Sequence, residues 1–564
     1  MSEKLKVVSP EGLPQGTTSN ISAHMDTLDG KTIGEVYNNH FKGELMFETY
    51  RRLFKEKYKN VKIIPFTEFP IVYVGGDAES QKRIAKEIAA IAKEKGVDAI
   101  LTGNGGGGTC TPSSVRPAVE LERAGIPSVV ITTTGFTTIA KAVAKAEGMA
   151  DLRIGEYPGA VGVHAEALVV KNVEDVLFGR IVDHLTKPRD GGSGSAPVAT
   201  HKASEIVYAG SFDDVNEYFR NQGWTDELPV IPPTLERVQE FLKYTDRKPN
   251  ESIAILPQDN LVATPMNIAA NAVMAGCSPE CMPLLIALVE AIAENKYNLL
   301  NLGTTWGVFP FLLVNGPAVK KMGIESGAHL ISKGNNPSIG RAFGFIIKNL
   351  AGYKPGKNYM GTFGYPMNFT IAEDDAQNPW EPFHVEHGFR KEDSTVTACA
   401  SVTWGWAPAI YGTPDKTAAQ TALEFLSIEL TKKPGLARFA ERGPRGFQNM
   451  VTIMMAPPVA KALAGAGYTK QMIREYIYEH ARVTYRELEF LLKYGHSEAF
   501  TIPDAVERGL YPKEYLVGPD EMVRVVPSPD VIHIVVCGDP NRNRTMVLWG
   551  GYVNPVTKKM TFPA

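Results

Sequence analysis

A chain of 564 residues exceeds one ordinary domain, so two or three are expected. Its hydrophobic share of 44% and charged share of 21% are those of a globular protein, and a formal net charge of −3 gives no basis for nucleic acid or an anionic membrane as partner. The start, Met1-Ser2-Glu3-Lys4-Leu5-Lys6, has no apolar signal region, no run reaches a membrane span, and five cysteines make no disulfide framework, so a cytoplasmic location is expected.

In chain order, Thr32 to Asn38 reads as a strand and Gly43 to Lys57 as a helix. Val61 to Phe66 is a second strand, followed by an amphipathic helix from Glu79 to Lys95. The apolar run Asp98 to Thr102 is a third strand, and Ser113 to Ala124 its helix. Ser128 to Thr132 and Thr137 to Glu147 repeat the pair, and Val173 to Leu185 is a closing helix. This alternation predicts an α/β fold: a doubly wound parallel sheet, flavodoxin- or Rossmann-like, over residues 1–187. A Gly/Ser-rich linker at 188–203 separates it from a larger mixed α/β domain over 204–564. In that second part helices are expected at Phe212 to Asn221, Leu235 to Tyr244, Pro265 to Ala275, Pro279 to Asn295, Ser338 to Asn349, Ala418 to Leu430 and Lys470 to Leu492. Strands are expected at Val308 to Val314, Thr395 to Ser401, Val451 to Met455, Val531 to Cys537 and Thr545 to Trp549.

Ligands of doubly wound sheets bind beyond the carboxyl ends of the strands. Three loops converge there: Tyr37 to His40, Gly103 to Pro112, and Thr133 to Phe136. The middle one, Gly103-Asn104-Gly105-Gly106-Gly107-Gly108-Thr109-Cys110-Thr111-Pro112, offers backbone N–H groups to a ligand and sets Cys110 just outside a helix N-terminus, where the dipole favours thiolate. Cys110 reads as a nucleophile or proton shuttle; the competing reading is a small buried cysteine in a structural turn. Asn104, Gly107, Gly108, Thr109, Ser113 and Arg116 are expected to form an anion-binding nest around it.

The Gly30 to Gly34 segment, the glycine loop and Val119 to Pro127, in that order, resemble the UGSC family of seleno- and cysteine proteins over roughly residues 30–187. More distantly they look like the selenoprotein B subunits of the glycine reductase class. Trp224 to Thr234 and Asn378 to His384 resemble the uncharacterised domain often found with that family. The family motif places selenocysteine or cysteine, then glycine, then serine or threonine, then cysteine; here it falls on Gly107-Gly108-Thr109-Cys110. The resemblance implies thiol chemistry at this loop. A two-chalcogen loop resolves to an internal bond, whereas Cys110 alone needs a second cysteine from elsewhere.

Cys277 and Cys281 flank Ser278-Pro279, an N-cap and N1 pair, and read as two separate buried thiols; Cys399 and Cys537 read as core. The loop Gly334-Asn335-Asn336-Pro337-Ser338-Ile339-Gly340-Arg341 suits a carboxylate clamp through Asn335, Asn336 and Arg341. In His384-Val385-Glu386-His387, extended geometry puts His384 and Glu386 on one face as an acid/base pair. No metal set, complete dinucleotide fingerprint or P-loop is present, so no cofactor is expected.

These readings converge on a thiol-dependent enzyme, a lyase, transferase or reductase, forming or cleaving a carbon–heteroatom bond in a small carboxylated substrate. Cys110 is its nucleophile, His384 and Glu386 supply acid/base function, and the second domain closes over the site. Three alternatives stand beside it: reductive cleavage with an external thiol reductant and Cys277 or Cys281 as resolving thiol, a non-catalytic carrier of a small anion, and a cofactor-free isomerase. Self-association into a homo-oligomer is expected, with no nucleic-acid or membrane partner.

Overall fold

The computed structural model describes residues 4–14, 21–72, 77–188, 203–365, 367–432, 451–494, 501–507, 511–526, 528–550 and 553–563. Most of the expected linker, residues 189–202, lies outside them.

Leu5–Val8 (β1) and Leu13–Pro14 (β2) open the chain, but they do not join the sheet that follows. That sheet holds Thr32–Tyr37 (β3), Lys62–Ile64 (β4), Ala99–Gly105 (β5), Ser128–Thr133 (β6) and Arg153–Tyr157 (β7), all parallel, in the order β4-β3-β5-β6-β7. The sequence reading omitted β7, whose short Arg-Ile-Gly-Glu-Tyr run carries two charges and a glycine. Gly43–Lys57 (α1) packs with the last helical stretch on one face, against Ile33, Leu101, Val129 and Ile131. Ala78–Glu94 (α2), Cys110–Arg123 (α3) and Thr137–Ala146 (α4) cover the other, over Val36, Ile100 and Val130. Alternate residues of each strand feed opposite cores, which is why these strands read as unbroken apolar runs. At the far end of α3, the buried Glu122 carboxylate accepts from Arg153 and from the amides of Ser22 (2.6 Å) and Ser128 (2.8 Å). The helix that begins at Cys110 is thus tied to β6 and β7 from inside.

Beyond residue 203 come Ile206–Gly210 (β8), Ala254–Leu256 (β9) and Leu261–Ala263 (β10). β1 pairs with β8 and β2 with β10, both antiparallel, and the Asn271 side chain donates to the Pro10 carbonyl. A division at 1–187 and 204–564 is therefore not clean: residues 5–14 are held by the second part. Phe309–Asn315 (β11), Phe369–Ala372 (β12) and Thr395–Ser401 (β13) make a mixed sheet with a late strand. Val451–Met455 (β14), Arg482–Thr484 (β15), Met522–Arg524 (β16), Ile532–Val536 (β17), Thr545–Trp549 (β18) and Val556–Lys559 (β19) complete the strands. The orders are β12-β11-β13-β19 and β17-β14-β18.

These two sheets face each other. Phe309, Phe311, Leu313, Cys399, Met454, Val535, Cys537 and Leu548 form the core between them, which places Cys399 and Cys537 in the interior as read. The outer faces lie under Met282–Ala293 and Asn336–Phe345 on one side and Ala418–Thr431 on the other. The helix expected over Lys470 to Leu492 is two, Lys470–His480 and Tyr485–Tyr494. The β-branched Val483-Thr484 pair between them joins β15, whose partner is β16. Among the described residues no helix is long and apolar enough to cross a membrane.

Candidate functional site

The N-terminal sheet has a flavodoxin-like order, in which the chain reverses direction between β3 and β5. Ligand crevices open at such switch points, beyond the carboxyl ends of the strands. Asn38 directly follows β3 and Asn104 lies near the end of β5, and they bind each other. The Asn104 amide donates to Asn38 Oδ1 (2.9 Å), and Asn38 Nδ2 donates to the Asn104 carbonyl (2.9 Å) and to Ser114 Oγ (3.2 Å). Asn104 Nδ2 donates to the Phe41 carbonyl at 3.1 Å. This buried amide pair locks the first loop onto the glycine loop. In the third loop, Thr133 to Phe136, Thr134 Oγ1 accepts from Gly159 N at 3.0 Å.

The first loop is held in an uncommon backbone state, with φ of 58° at Asn39, 59° at Phe41 and 53° at Lys42. Left-handed conformations at such side chains are strained, and strain of this kind gathers at functional sites. Its effect is to lay the Phe41 ring over the glycines: a Cβ on Gly106 would stand 3.0 Å from it and one on Gly107 3.5 Å. His40 precedes Phe41, buried, with Nδ1 2.7 Å from the Asn38 carbonyl. A carbonyl only accepts, so Nδ1 carries the hydrogen and Nε2 is the basic nitrogen.

Cys110 is the first residue of α3, not a residue before it; the helix starts three positions earlier than the sequence reading placed it. Pro112 is no obstacle, because first-turn N–H groups have no intrahelical acceptor. Hydroxyls add bonds inside the first turn: Thr111 Oγ1 donates to the Gly107 carbonyl (2.8 Å), and Ser113 Oγ (2.8 Å) and Ser114 Oγ (3.1 Å) donate to that of Cys110. Ser113 is thereby spent on the helix, and Thr109 makes no side-chain cap. Among the described residues the amides of Gly106, Gly107, Gly108 and Thr109 make no backbone hydrogen bond. Four N–H groups without a backbone acceptor at the head of a helix of 14 residues are the kind of donors from which an anion nest is built. The Cys110 side chain lies beside Gly107, where an added Cβ would stand 3.3 Å from Sγ.

The second part of the chain roofs this loop. A Cβ on Gly108 would sit 1.6 Å from the Gly303 carbonyl oxygen and 3.2 Å from Thr304 Cα. Glycine at 108 is what lets two backbones meet there. Nearby, Asn295 Nδ2 donates to Asp77 Oδ1 at 2.6 Å, so the same region also grips the start of α2.

Several expected partners are elsewhere. Arg116 is buried and committed to Gln81 (2.9 Å) and Glu147 (3.3 Å). Asn335 donates to Ser278 Oγ and the Met322 carbonyl, and Asn336 to the Glu325 carbonyl, so both fasten their own loop. Arg341 makes a bidentate pair with Asp226, 2.8 Å on each arm. His384 and Glu386 lie on a helical turn, Phe383–Glu386, not an extended run, so residues two apart diverge instead of sharing a face. Glu386 pairs with Lys470 (2.7 Å) and Arg474 (3.1 Å). The His384 region borders the Asn315 end of β11, whereas Gly303-Thr304 precedes its Phe309 end; a strand of seven residues separates them by about 20 Å. Cys281 sits at the head of Met282–Ala293 while the Asn295 contact lies past its tail, a helix length of about 18 Å. Burial pushes the Cys281 thiol up to about 11 and raises those of Cys277, Cys399 and Cys537 as well. They are inert interior thiols.

The far end of β11 holds a separate buried cluster. Glu373 accepts from Asn315 Nδ2 (2.6 Å), Asn378 Nδ2 (2.9 Å), Phe383 N (2.6 Å) and Val536 N (3.3 Å), binding the ends of both sheets together. Burial pushes its carboxyl up to about 7, against the pull of Lys470 at 3.9 Å. Among the described residues no three His, Cys, Asp or Glu side chains converge as a metal-ligand set.

The UGSC family model matches residues 6–187, about a third of the chain. No curated protein and no solved structure matches it significantly.

Two outcomes follow from this geometry. Gly108→Ala forces backbone apart and is expected to destabilise the protein by about 2 kcal/mol or more, while Gly107→Ala, with only side chains to move, stays within about 1 kcal/mol of the parent. Urea denaturation measures both; equal effects would remove the close approach as a constraint. For Glu373, the folded group keeps its proton up to about 7 and the unfolded one only to its ordinary 4.5, so stability falls as pH rises through that window. The loss amounts to at most about 3 kcal/mol. Denaturation midpoints measured from about pH 5 to 8 should decline in the parent and lose that slope in Glu373→Gln; parallel profiles would contradict the assignment.

Proposed function

Taking residues 6–187 as a UGSC-family domain, we propose that this protein is a thiol-dependent enzyme whose nucleophile or proton-shuttling group is Cys110. The observation that carries the reading is the environment of that one thiol. It stands at the head of α3, at a sheet switch point, beside four backbone amides without backbone acceptors, and under a roof made by Phe41 and Gly303-Thr304. The amides suit a carboxylate, and the helix dipole favours thiolate over thiol. The substrate is a small carboxylated molecule, and the reaction forms or cleaves a carbon–heteroatom bond by addition of the thiolate to an electrophilic carbon. Backbone amides take the anion-holding role first given to Arg341 and Arg116, whose guanidinium groups are paired. His40, with a basic Nε2 on the loop that covers the glycines, takes the acid/base role in place of His384 and Glu386.

A second reading has its own observation. Glycine at 107 leaves open the place beside Cys110 Sγ where the family motif puts a first chalcogen. With an external dithiol supplying the second sulfur, the reaction would be reductive cleavage: the carbon–heteroatom bond breaks, its carbon takes up hydrogen, and the dithiol ends as a disulfide after displacing Cys110 from a mixed disulfide.

Turnover of a panel of small carboxylates bearing a heteroatom leaving group tests the proposal. Cys110→Ser is expected to reduce turnover to background with the melting temperature unchanged, and His40→Asn to lower kcat by about 100-fold and flatten its pH profile. Stoichiometric consumption of an added dithiol would select the reductive route. Full activity in Cys110→Ser would remove the nucleophile, and saturable binding without turnover would leave a carrier.

A further inference from the structure

A cavity of about 590 Å³ opens on the second part of the chain, lined by no residue of the glycine loop. Tyr353 lines it and also stands 3.5 Å from where a Cβ on Gly303 would lie, and Gly303 in turn touches Gly108. The volume is that of an ordinary small-molecule site. One part of its wall is aromatic: Tyr359 and Tyr365 stack with an interplanar angle of 21°, and Phe345 lies under the Arg341 guanidinium.

Four cationic side chains reach this cavity, and their pairing distinguishes one of them. Arg341 is neutralised by the bidentate Asp226, Lys354 by Glu11 at 3.0 Å, and Lys357 by Asp259 at 3.7 Å. Lys348 donates to the Thr225 carbonyl, and among the described residues it has no carboxylate in ion-pair contact, although Asp226 and Glu227 on the same cavity wall act on it from farther off. A half-buried ammonium with no counterion in contact is a poor arrangement for stability alone. Burial pushes it down from its ordinary value, so the protein bears a cost that a bound anion would relieve.

We propose that this cavity is a second binding site, taking a small organic carboxylate with a flat apolar body. The carboxylate pairs with Lys348, and the body lies among Tyr359, Tyr365 and Phe345. The site is independent of the thiol chemistry: it shares no side chain with the Cys110 loop, and either assignment stands if the other fails.

The probe is 2-naphthoate, titrated calorimetrically into the full chain beside its neutral isostere 2-naphthamide. Expected is saturable one-to-one binding of naphthoate, about tenfold or more tighter than the amide, as a charge-assisted hydrogen bond provides. Lys348→Met should bring naphthoate to the affinity of the amide, and Lys348→Arg should keep the preference. Carboxymethylation of Cys110 should leave naphthoate binding unchanged. Absent saturation, equal affinity for the two probes, a preference surviving in Lys348→Met, or binding abolished by carboxymethylation would each overturn the proposal.

Discussion

The close approach of Gly108 to the Gly303 carbonyl is the contact on which the rest of the candidate site depends. A loop rich in glycine is costly to order, since each residue loses more backbone freedom than any other type would. Here that cost is met by a backbone from the second part of the chain, which closes on the loop where a side chain would have held it off. Cys110 beside it is buried to 6% exposure, and electrostatic attraction between backbone amides and an anion is stronger where water is excluded than in bulk solvent. The two parts of the chain are held together beyond this point as well, because residues 5–14 pair with β8 and β10.

On the other side, the site is shaped by strain. Asn39, Phe41 and Lys42 adopt left-handed backbone, and what stabilises them is the reciprocal Asn38–Asn104 amide pair beneath. The strain is what aims the Phe41 ring at Gly106 and Gly107 and sets His40 beside it. Position 107 then has a particular meaning. A Cβ there would stand 3.3 Å from Cys110 Sγ, so any side chain at 107 would begin in contact with the thiol.

Much of the N-terminal fold was legible from apolar runs alternating with amphipathic helices, because a parallel sheet covered on both faces writes its strands as continuous hydrophobic segments. Gly43–Lys57 matched to the residue. α3 begins three residues before the start that the sequence suggests, since Thr111, Pro112 and Ser113 read as a cap and loop, whereas the Thr111 and Ser113 hydroxyls donate to the Gly107 and Cys110 carbonyls within the first turn. The site was half legible. Cys110, Asn104 and the glycines were placed by local pattern, whereas Arg341, His384 and Glu386 were matched by chemistry alone. Sequence carries no sign that Arg341 is answered by Asp226, 115 residues away, or that Glu386 is answered by Lys470 and Arg474. The Gly303 roof left no signal beyond a glycine, and His40 left only its place at the end of a strand.

The central claim is that Cys110, alone among the five cysteines, is a thiol set against an anion-binding loop. Mass-spectrometric rates of carboxymethylation by iodoacetate, compared site by site with those of the neutral iodoacetamide, test it directly on the folded protein. The account predicts that Cys110 reacts first with both reagents and favours iodoacetate relative to a model thiol, while Cys277, Cys281, Cys399 and Cys537 stay unmodified until the protein unfolds. A Cys110 as unreactive as those four, or one that discriminates against the anionic reagent, would contradict it.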